Sequence, residues 1–311
     1  MCKRTILFIL TPVLLILGAL GLYLRDQAPL DADSFNALYI SPAPMPDGQR
    51  QVFHIGHSLV GRDMPAMLAQ LAGDGHGYAS QLGWGATLKS HWDPNEPING
   101  FDTENNHPAY RDAHEAVESG DYDALIVTEM VEIKDAIRYF DSPVHLGNWT
   151  KKATENGLPV YLYETWHPLD DEEGWLLRID RDRTVYWEDG IMRPALARLD
   201  TPKPIYVIPG GQVLAAFSRY LAENGPVGSI SSHDDLFSDN IHFNDYGAYL
   251  VALTHYAVLY QQSPIGLPHT MKRADGTAAD DVGAEAAAAM QQIVWDVVMQ
   301  SPMTGIPAAE S

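Results

Sequence analysis

One cysteine in 311 residues, Cys2, leaves the body of this chain without a disulfide, a thiolate nucleophile or a thiolate metal ligand. Basic residues are also scarce, since 20 Lys and Arg stand against 41 Asp and Glu for a formal charge of −21. That balance argues against nucleic acid or an anionic membrane surface as a partner and favours solubility. There is no internal repeat and no long low-complexity tract, the alanine run Ala286 to Ala289 apart. Long apolar sequence occurs once, where Lys3 and Arg4 precede twenty uncharged residues, Thr5 to Leu24. As a helix such a run spans about 30 Å, enough to cross a bilayer.

No clear small-x-small cleavage site precedes Arg25, so residues 1–25 are expected to form an uncleaved signal anchor with an N-terminal transmembrane helix, a removed signal peptide being the alternative. The positive charge at the start would then put the remainder outside the cytoplasm, in a periplasmic or extracellular space. Residues 26–50, with Pro29, Pro42, Pro44 and Pro46, read as a tether, and residues 303–311 as a tail. Residues 51–302 remain as one domain, a size compatible with a single large core. Oligomeric state leaves no mark in the sequence.

Within that domain, strand-like and helix-like stretches alternate. Val52 to Ile55, Ala124 to Val127, Val160 to Tyr163 and Ile205 to Ile208 are short β-branched and aromatic runs, and Ala79 to Leu82 is a weaker fifth. Met64, Met67, Leu68 and Leu71 share one helical face, and Met290, Ile293, Val294, Val297 and Val298 repeat at helical spacing near the end. The pattern predicts an α/β fold, a five-stranded, mostly parallel sheet covered on both faces. Sites in such sheets lie beyond the carboxyl ends of the strands, and Ser58, Gly85, Glu129 and Trp166 all follow predicted strands. The charged, tryptophan-bearing stretch 167–190 suits a lid over those ends.

Gly56-His57-Ser58-Leu59 directly follows the first strand, and Asp239-Asn240-Ile241-His242 sets an acid three residues before a base. A serine hydroxyl is a poor nucleophile near neutral pH. It needs an imidazole to take its proton and a carboxylate to hold that imidazole in the right tautomer. Ser58, His242 and Asp239 can fill those roles. Each alone has a plain structural reading: a serine after a strand is commonly a turn residue, and an Asp-x-x-His pair commonly caps a helix. Their order and strand-rich context carry the catalytic reading. Val60 stands where a Gly-x-Ser-x-Gly elbow would have its second glycine, which disfavours an α/β-hydrolase.

With Gly83-Trp84-Gly85-Ala86-Thr87 between these blocks, and Gly247-Ala-Tyr-Leu250 after the last, the chain resembles an SGNH-type (GDSL-like) hydrolase over residues 50–262. Tyr163-Glu164-Thr165-Trp166 and Ile208-Pro209-Gly210-Gly211-Gln212 resemble a branch of that superfamily associated with carbohydrate esters. The resemblance implies a three-layer, flavodoxin-like α/β/α fold, a Ser58 nucleophile and an Asp239–His242 dyad before the last long helix. It also implies an oxyanion hole from the amides of Ser58 and Gly85, and no metal or organic cofactor. Glycine suits position 85, because substrate must approach the backbone closely there.

The family's third block carries an oxyanion-hole asparagine, and here the corresponding strand ends Val127-Thr128-Glu129-Met130. An ionised carboxylate accepts hydrogen bonds and donates none, so Glu129 either pairs with a cation such as Lys134 or binds a sugar hydroxyl. Trp84, His91 and Trp166 are candidates for a substrate-contacting wall, with a core role as the alternative. His57 is expected to point away from the nucleophile.

Removal of acetyl or other short acyl groups from a small-molecule or polysaccharide ester is the expected activity. Acyl transfer to a sugar through the same acyl-enzyme is its variant, and a non-catalytic binding protein on the same fold is an alternative. So is a metal site among His233, Asp234, Asp235, Asp239, His242 and Asp245, which would leave Ser58 without a role.

Overall fold

The computed structural model describes residues 28–307, so the expected signal anchor and the end of the tail lie outside the described residues. Among the described residues no helix is long and apolar enough to cross a membrane. The chain begins with α1 (Ala32–Ala37), β1 (Gln51–His57), α2 (Asp63–Ala72) and β2 (Gly77–Gly83). Three short helices, α3 (Leu88–Trp92), α4 (Phe101–Glu104) and α5 (Ala113–Ser119), lead to β3 (Ala124–Val127). Next come α6 (Ile133–Tyr139), α7 (Ser142–Glu155), β4 (Val160–Glu164) and α8 (Trp175–Asp182). A π-helical stretch (Arg183–Met192) and α9 (Arg193–Leu196) lead to β5 (Ile205–Pro209), α10 (Gly210–Asn224), α11 (Asp245–Tyr260) and α12 (Ala284–Gln300).

All five strands are parallel, in the order β2-β1-β3-β4-β5, an α/β architecture consistent with a flavodoxin-like fold. Strand order reverses between β1 and β3, which opens a crevice outside their carboxyl ends. β1 is paired on both sides, with Phe53 opposite Ala79 of β2 and Leu125 of β3. Because parallel strands require covered faces, its residues from Val52 to His57 are all buried. Val52 packs into the layer containing α2, α10, α11 and α12, while Phe53 and Ile55 pack into the layer of α5, α7 and the π-helical stretch. Every residue of α11 from Gly247 to Tyr260 is buried, and α12 lies against it. That explains why α11 has no polar face in the sequence.

Two expectations change. The proline-containing segment is no free tether: Phe35 and Tyr39 are buried and the Tyr39 hydroxyl donates to Ile205 O at 2.9 Å. Ala43 N donates to Gly305 O at 2.7 Å, so the start of the expected tail is docked as well. The stretch 167–190 is no free lid either, being a helix and a π-helical continuation locked by a buried guanidinium. Arg178 is 1% exposed and bridges Glu132, Asp171 and Asp182 at 2.6–2.9 Å. His167 joins it, with Nε2 3.0 Å from Asp182 Oδ2.

His54 of β1 and His255 of α11 meet in the core with ring centroids 6.0 Å apart, and neither His54 nitrogen has a partner. Burial, with His255 and His76 nearby, pushes His54 well below its ordinary value, and burial pushes His255 down to about 4. Both are therefore neutral when folded and must take up a proton on unfolding below about pH 6.5. Their contribution to stability is present above that value and is lost as pH falls towards 4. His54→Leu is expected to make the acid limb shallower by up to one proton, about 1.4 kcal/mol per pH unit. Urea unfolding at pH 5 and pH 7 measures this, and equal slopes in variant and parent would refute it.

Candidate active site

Ser58 emerges from the carboxyl end of β1 into a tight turn in which Val60 N and Gly61 N both donate to His57 O. Two glycines and two histidines hold that turn. A Cβ on Gly56 would sit 2.7 Å from Thr128 Cγ2 and 2.8 Å from Val60 Cγ2, so any side chain would push the turn off β3. His57 is buried beneath, its Nε2 2.8 Å from Glu129 O and its Nδ1 accepting Leu59 N at 3.3 Å. Those partners define a neutral imidazole protonated on Nε2, and burial lowers its pKa to about 4. It points away from the nucleophile, as expected.

His91 ends a second chain of bonds. Ala113 N donates to Gln81 Oε1 at 2.9 Å, Gln81 Nε2 lies 3.0 Å from His91 Nδ1, and His91 Nε2 lies 2.9 Å from Gly56 O. Burial lowers the His91 pKa to about 4 as well. Being 4% exposed, His91 stiffens the nucleophile turn from below and does not line a substrate wall, which corrects one expectation.

Across the crevice, the loop before α11 brings in the acid and base. His242 Nε2 is 2.9 Å from Ser58 Oγ, and His242 Nδ1 is 2.8 Å from Asp239 Oδ2. Asp239 Oδ1 meanwhile accepts the amides of His242 at 2.7 Å and Ile241 at 2.8 Å. Those amides, together with the imidazole, hold its carboxyl down at about 2. Asp239 therefore stays ionised throughout the neutral range and fixes the imidazole with Nε2 facing the serine. The side chains of His242 and Asp239 are 43% and 55% exposed, so the site is open to solvent.

This loop has little regular structure of its own and is held by the segment after β4. Trp166 Nε1 donates to Ile241 O at 2.9 Å, Leu169 N to Asn240 O at 2.8 Å, and Asn240 Nδ2 to Asp170 Oδ1 at 2.6 Å. On its other flank, Asn244 caps α11 by accepting Tyr246 N and Gly247 N. Trp166 is wholly buried, so it braces the loop and cannot contact substrate, a second correction. A tryptophan two residues past a strand gave no hint of this, because its partner is 75 residues away.

The glycine block lies on the facing rim. Gly85 has φ of +55°, a conformation that favours glycine, with open space where a side chain would stand. Among the described residues, the Ser58 and Gly85 amides donate to no backbone carbonyl of the loops around them. Asn105, a residue the sequence gave no reason to single out, pins the strand before this block by pairing with both Leu82 N and Leu82 O. Trp84 is 53% exposed, its Nε1 2.6 Å from Glu104 Oε1, and of the four candidate substrate-contacting residues it alone faces solvent.

Glu129 is fully buried, so it neither binds a sugar hydroxyl nor meets an oxyanion. Lys134 pairs with Glu173 instead. Glu129 Oε1 accepts Leu88 N at 3.1 Å and Met130 N at 2.8 Å, which ties the start of α3, and with it the glycine block, to the end of β3. The expected alternative of a metal cluster disperses. His233 stacks on Trp175, Asp235 accepts Ser231 N and Ser232 N, and Asp245 pairs with Arg273. Among the described residues no three His, Cys, Asp or Glu side chains converge to hold a metal.

No family model and no curated protein matches the chain. Among solved structures its fold is similar to that of a DUF4886 family protein from Bacteroides uniformis, with a TM-score of 0.51 and 15% identity. The match covers 80% of this chain and 94% of that one, and at that identity it speaks for the fold alone.

Trp166→Phe keeps an aromatic ring but removes the bond to Ile241 O and part of the buried volume, so it should cost roughly 2–4 kcal/mol of stability and lower the reactivity of Ser58 more than that loss explains. The rate of covalent labelling at Ser58 measures it, and an unchanged rate would show that the loop needs no brace. Burial raises the Glu129 pKa to about 7, so its protonated form is favoured by folding. That contribution is present below about pH 4.5 and is lost as pH rises through 7. Glu129→Gln should therefore gain in stability over the parent by a few kcal/mol on going from pH 5 to pH 8, and a pH-independent difference would refute the reading.

Proposed function

We propose that this protein is a serine ester hydrolase of the SGNH type, acting on short acyl esters carried by carbohydrate. The observation that carries the reading is the unbroken chain Asp239 Oδ2, His242, Ser58 Oγ, with links of 2.8 and 2.9 Å. As Ser58 Oγ attacks the ester carbonyl carbon, its proton passes to His242 Nε2 and the imidazolium is stabilised by Asp239. The carbonyl oxygen becomes an oxyanion facing the amides of Ser58 and Gly85. Collapse of this intermediate breaks the bond to the leaving alcohol, which takes the proton from His242. Water then repeats the sequence on the acyl-enzyme, releasing the carboxylic acid and restoring Ser58.

Glu129 supplies no third donor, because its carboxyl is fully buried away from the open site, with Oε1 accepting Leu88 N and Met130 N. A hole of two donors forgoes about 3 kcal/mol of transition-state stabilisation, so generic activated esters should turn over slowly. The open triad supports a small acyl group on a bulky carrier over a long acyl chain that would need burial, and exposed Trp84 beside Gly85 supports a sugar as that carrier. If residues 1–25 act as a signal anchor, the substrate is met outside the cytoplasm.

A fluorophosphonate probe should modify the folded protein at Ser58 alone, located by peptide mass spectrometry, and modification should vanish in His242→Ala. Ser58→Ala should lose ester cleavage by a factor on the order of a thousand or more, and Asp239→Asn should lose roughly a hundred- to ten-thousandfold in kcat. Parent-like cleavage of acetylated sugars by Ser58→Ala would sink the assignment. A folded protein that the probe never modifies would favour a binding role.

A further inference from the structure

A second cavity of about 460 Å³ opens at the opposite end of the sheet, against the amino ends of β1, β3, β4 and β5. Arg50, the residue just before β1, lines it, and the seven residues of β1 separate it from Ser58 by about 25 Å. Arg50 is 6% exposed, no carboxylate pairs with it among the described residues, and its Nε has no hydrogen-bond partner. Its guanidinium carbon lies 6.0 Å from the centre of the Tyr161 ring, which in turn lies 5.4 Å from the Tyr206 ring, and both tyrosines line the cavity. Lys203 stands exposed at the rim.

Neither carboxylate of the cavity forms an ion pair with the guanidinium among the described residues. Asp123 accepts Gln51 N at 2.7 Å through one oxygen, and Asp47 is exposed at the mouth. Taking a charge out of water without a counter-ion costs several kcal/mol, so buried guanidinium groups are found paired. Arg178 in this same protein obeys that rule, with three carboxylates around it. Arg50 breaks it, and it does so facing a cavity. The missing partner is then something the cavity receives, and a planar guanidinium selects for a carboxylate or phosphate group, which it can grip through two parallel bonds.

We propose that this cavity is a binding site for a small acidic molecule of about sugar size. Its carboxylate or phosphate pairs with Arg50, Lys203 closes over the acid group from the rim, and its less polar body lies against Tyr206 and the prolines Pro44, Pro46, Pro159 and Pro204. In a chain of net charge −21 this is a place built to accept an anion, and it is separate from the triad.

Calorimetric titration of the folded protein with inorganic phosphate, benzoate and glucuronate tests the site. At least one of the three should bind saturably at a single site, with the same affinity in Ser58→Ala, since the triad plays no part. Arg50→Gln should weaken that binding roughly tenfold or more, and Lys203→Ala about threefold. Binding of phosphate alone would assign a phosphate-bearing ligand; binding of benzoate or glucuronate would assign a carboxylate. No saturable binding of any probe, or equal affinity in Arg50→Gln, would overturn the proposal. Should Arg50→Gln fail to fold, unchanged affinity in both Lys203→Ala and Tyr206→Phe would overturn it as well.

Discussion

β1 has no edge and no exposed face, and the rest of the molecule is arranged around that constraint. Its amides and carbonyls are taken up by β2 on one side and β3 on the other, and its side chains by helices on both faces. A strand held this way cannot slide or twist without breaking two ladders and two packed layers. What leaves its carboxyl end is therefore placed as firmly as anything in the protein. Gly56 is an expression of that tightness, because the turn presses on Thr128 so closely that a Cβ would collide with it. The buried histidines are another: His57 and His91 serve as neutral hydrogen-bonding struts under the serine, a role open to them because burial keeps them uncharged.

The base is held differently. His242 arrives on a loop, and loops are positioned only by what grips them. Here Trp166, the Leu169 backbone and Asp170 grip it from the segment after β4, while Asn244 anchors it to the first turn of α11. The segment 167–190 therefore matters to the site as scaffolding. Arg178 and its three carboxylates fasten that segment to Glu132 beyond β3, so the base is referred back to the sheet through a chain of fixed contacts. Ser58 depends on the sheet directly, and His242 depends on it at second hand.

Glu129 shows how position alters the meaning of a residue type. In sequence it stands where a donor to an oxyanion would be useful, and as an exposed carboxylate it would oppose one. Burial makes it an acceptor for two amides, joining the glycine rim to β3, and leaves its second oxygen unpartnered. Arg50 is its counterpart of opposite sign at the other end of the sheet, a buried charge with no carboxylate paired to it among the described residues.

Much of the architecture was legible from short-range pattern. Four β-branched and aromatic runs and the weaker Ala79 to Leu82 marked the five strands to within two residues, since a strand buried on both faces is mostly apolar and the spacing between runs leaves room for crossover helices. That Ser58, Asp239 and His242 meet could be expected from order and spacing, because Asp239 and His242 are three residues apart and Ser58 follows a strand. The docking of residues 28–47, the bracing role of Trp166, the burial of Glu129 and His91 and the solitary Arg50 could not. Each is decided by a partner far away in the chain, such as Ile205 for Tyr39 or Ile241 for Trp166. Periodicity and local chemistry determine which segments become strands and which side chains carry reactive groups. Whether a given polar side chain faces water, a ligand or a distant backbone amide is settled only when the layers close, because the cost of burying it depends on contacts that no local stretch of sequence contains.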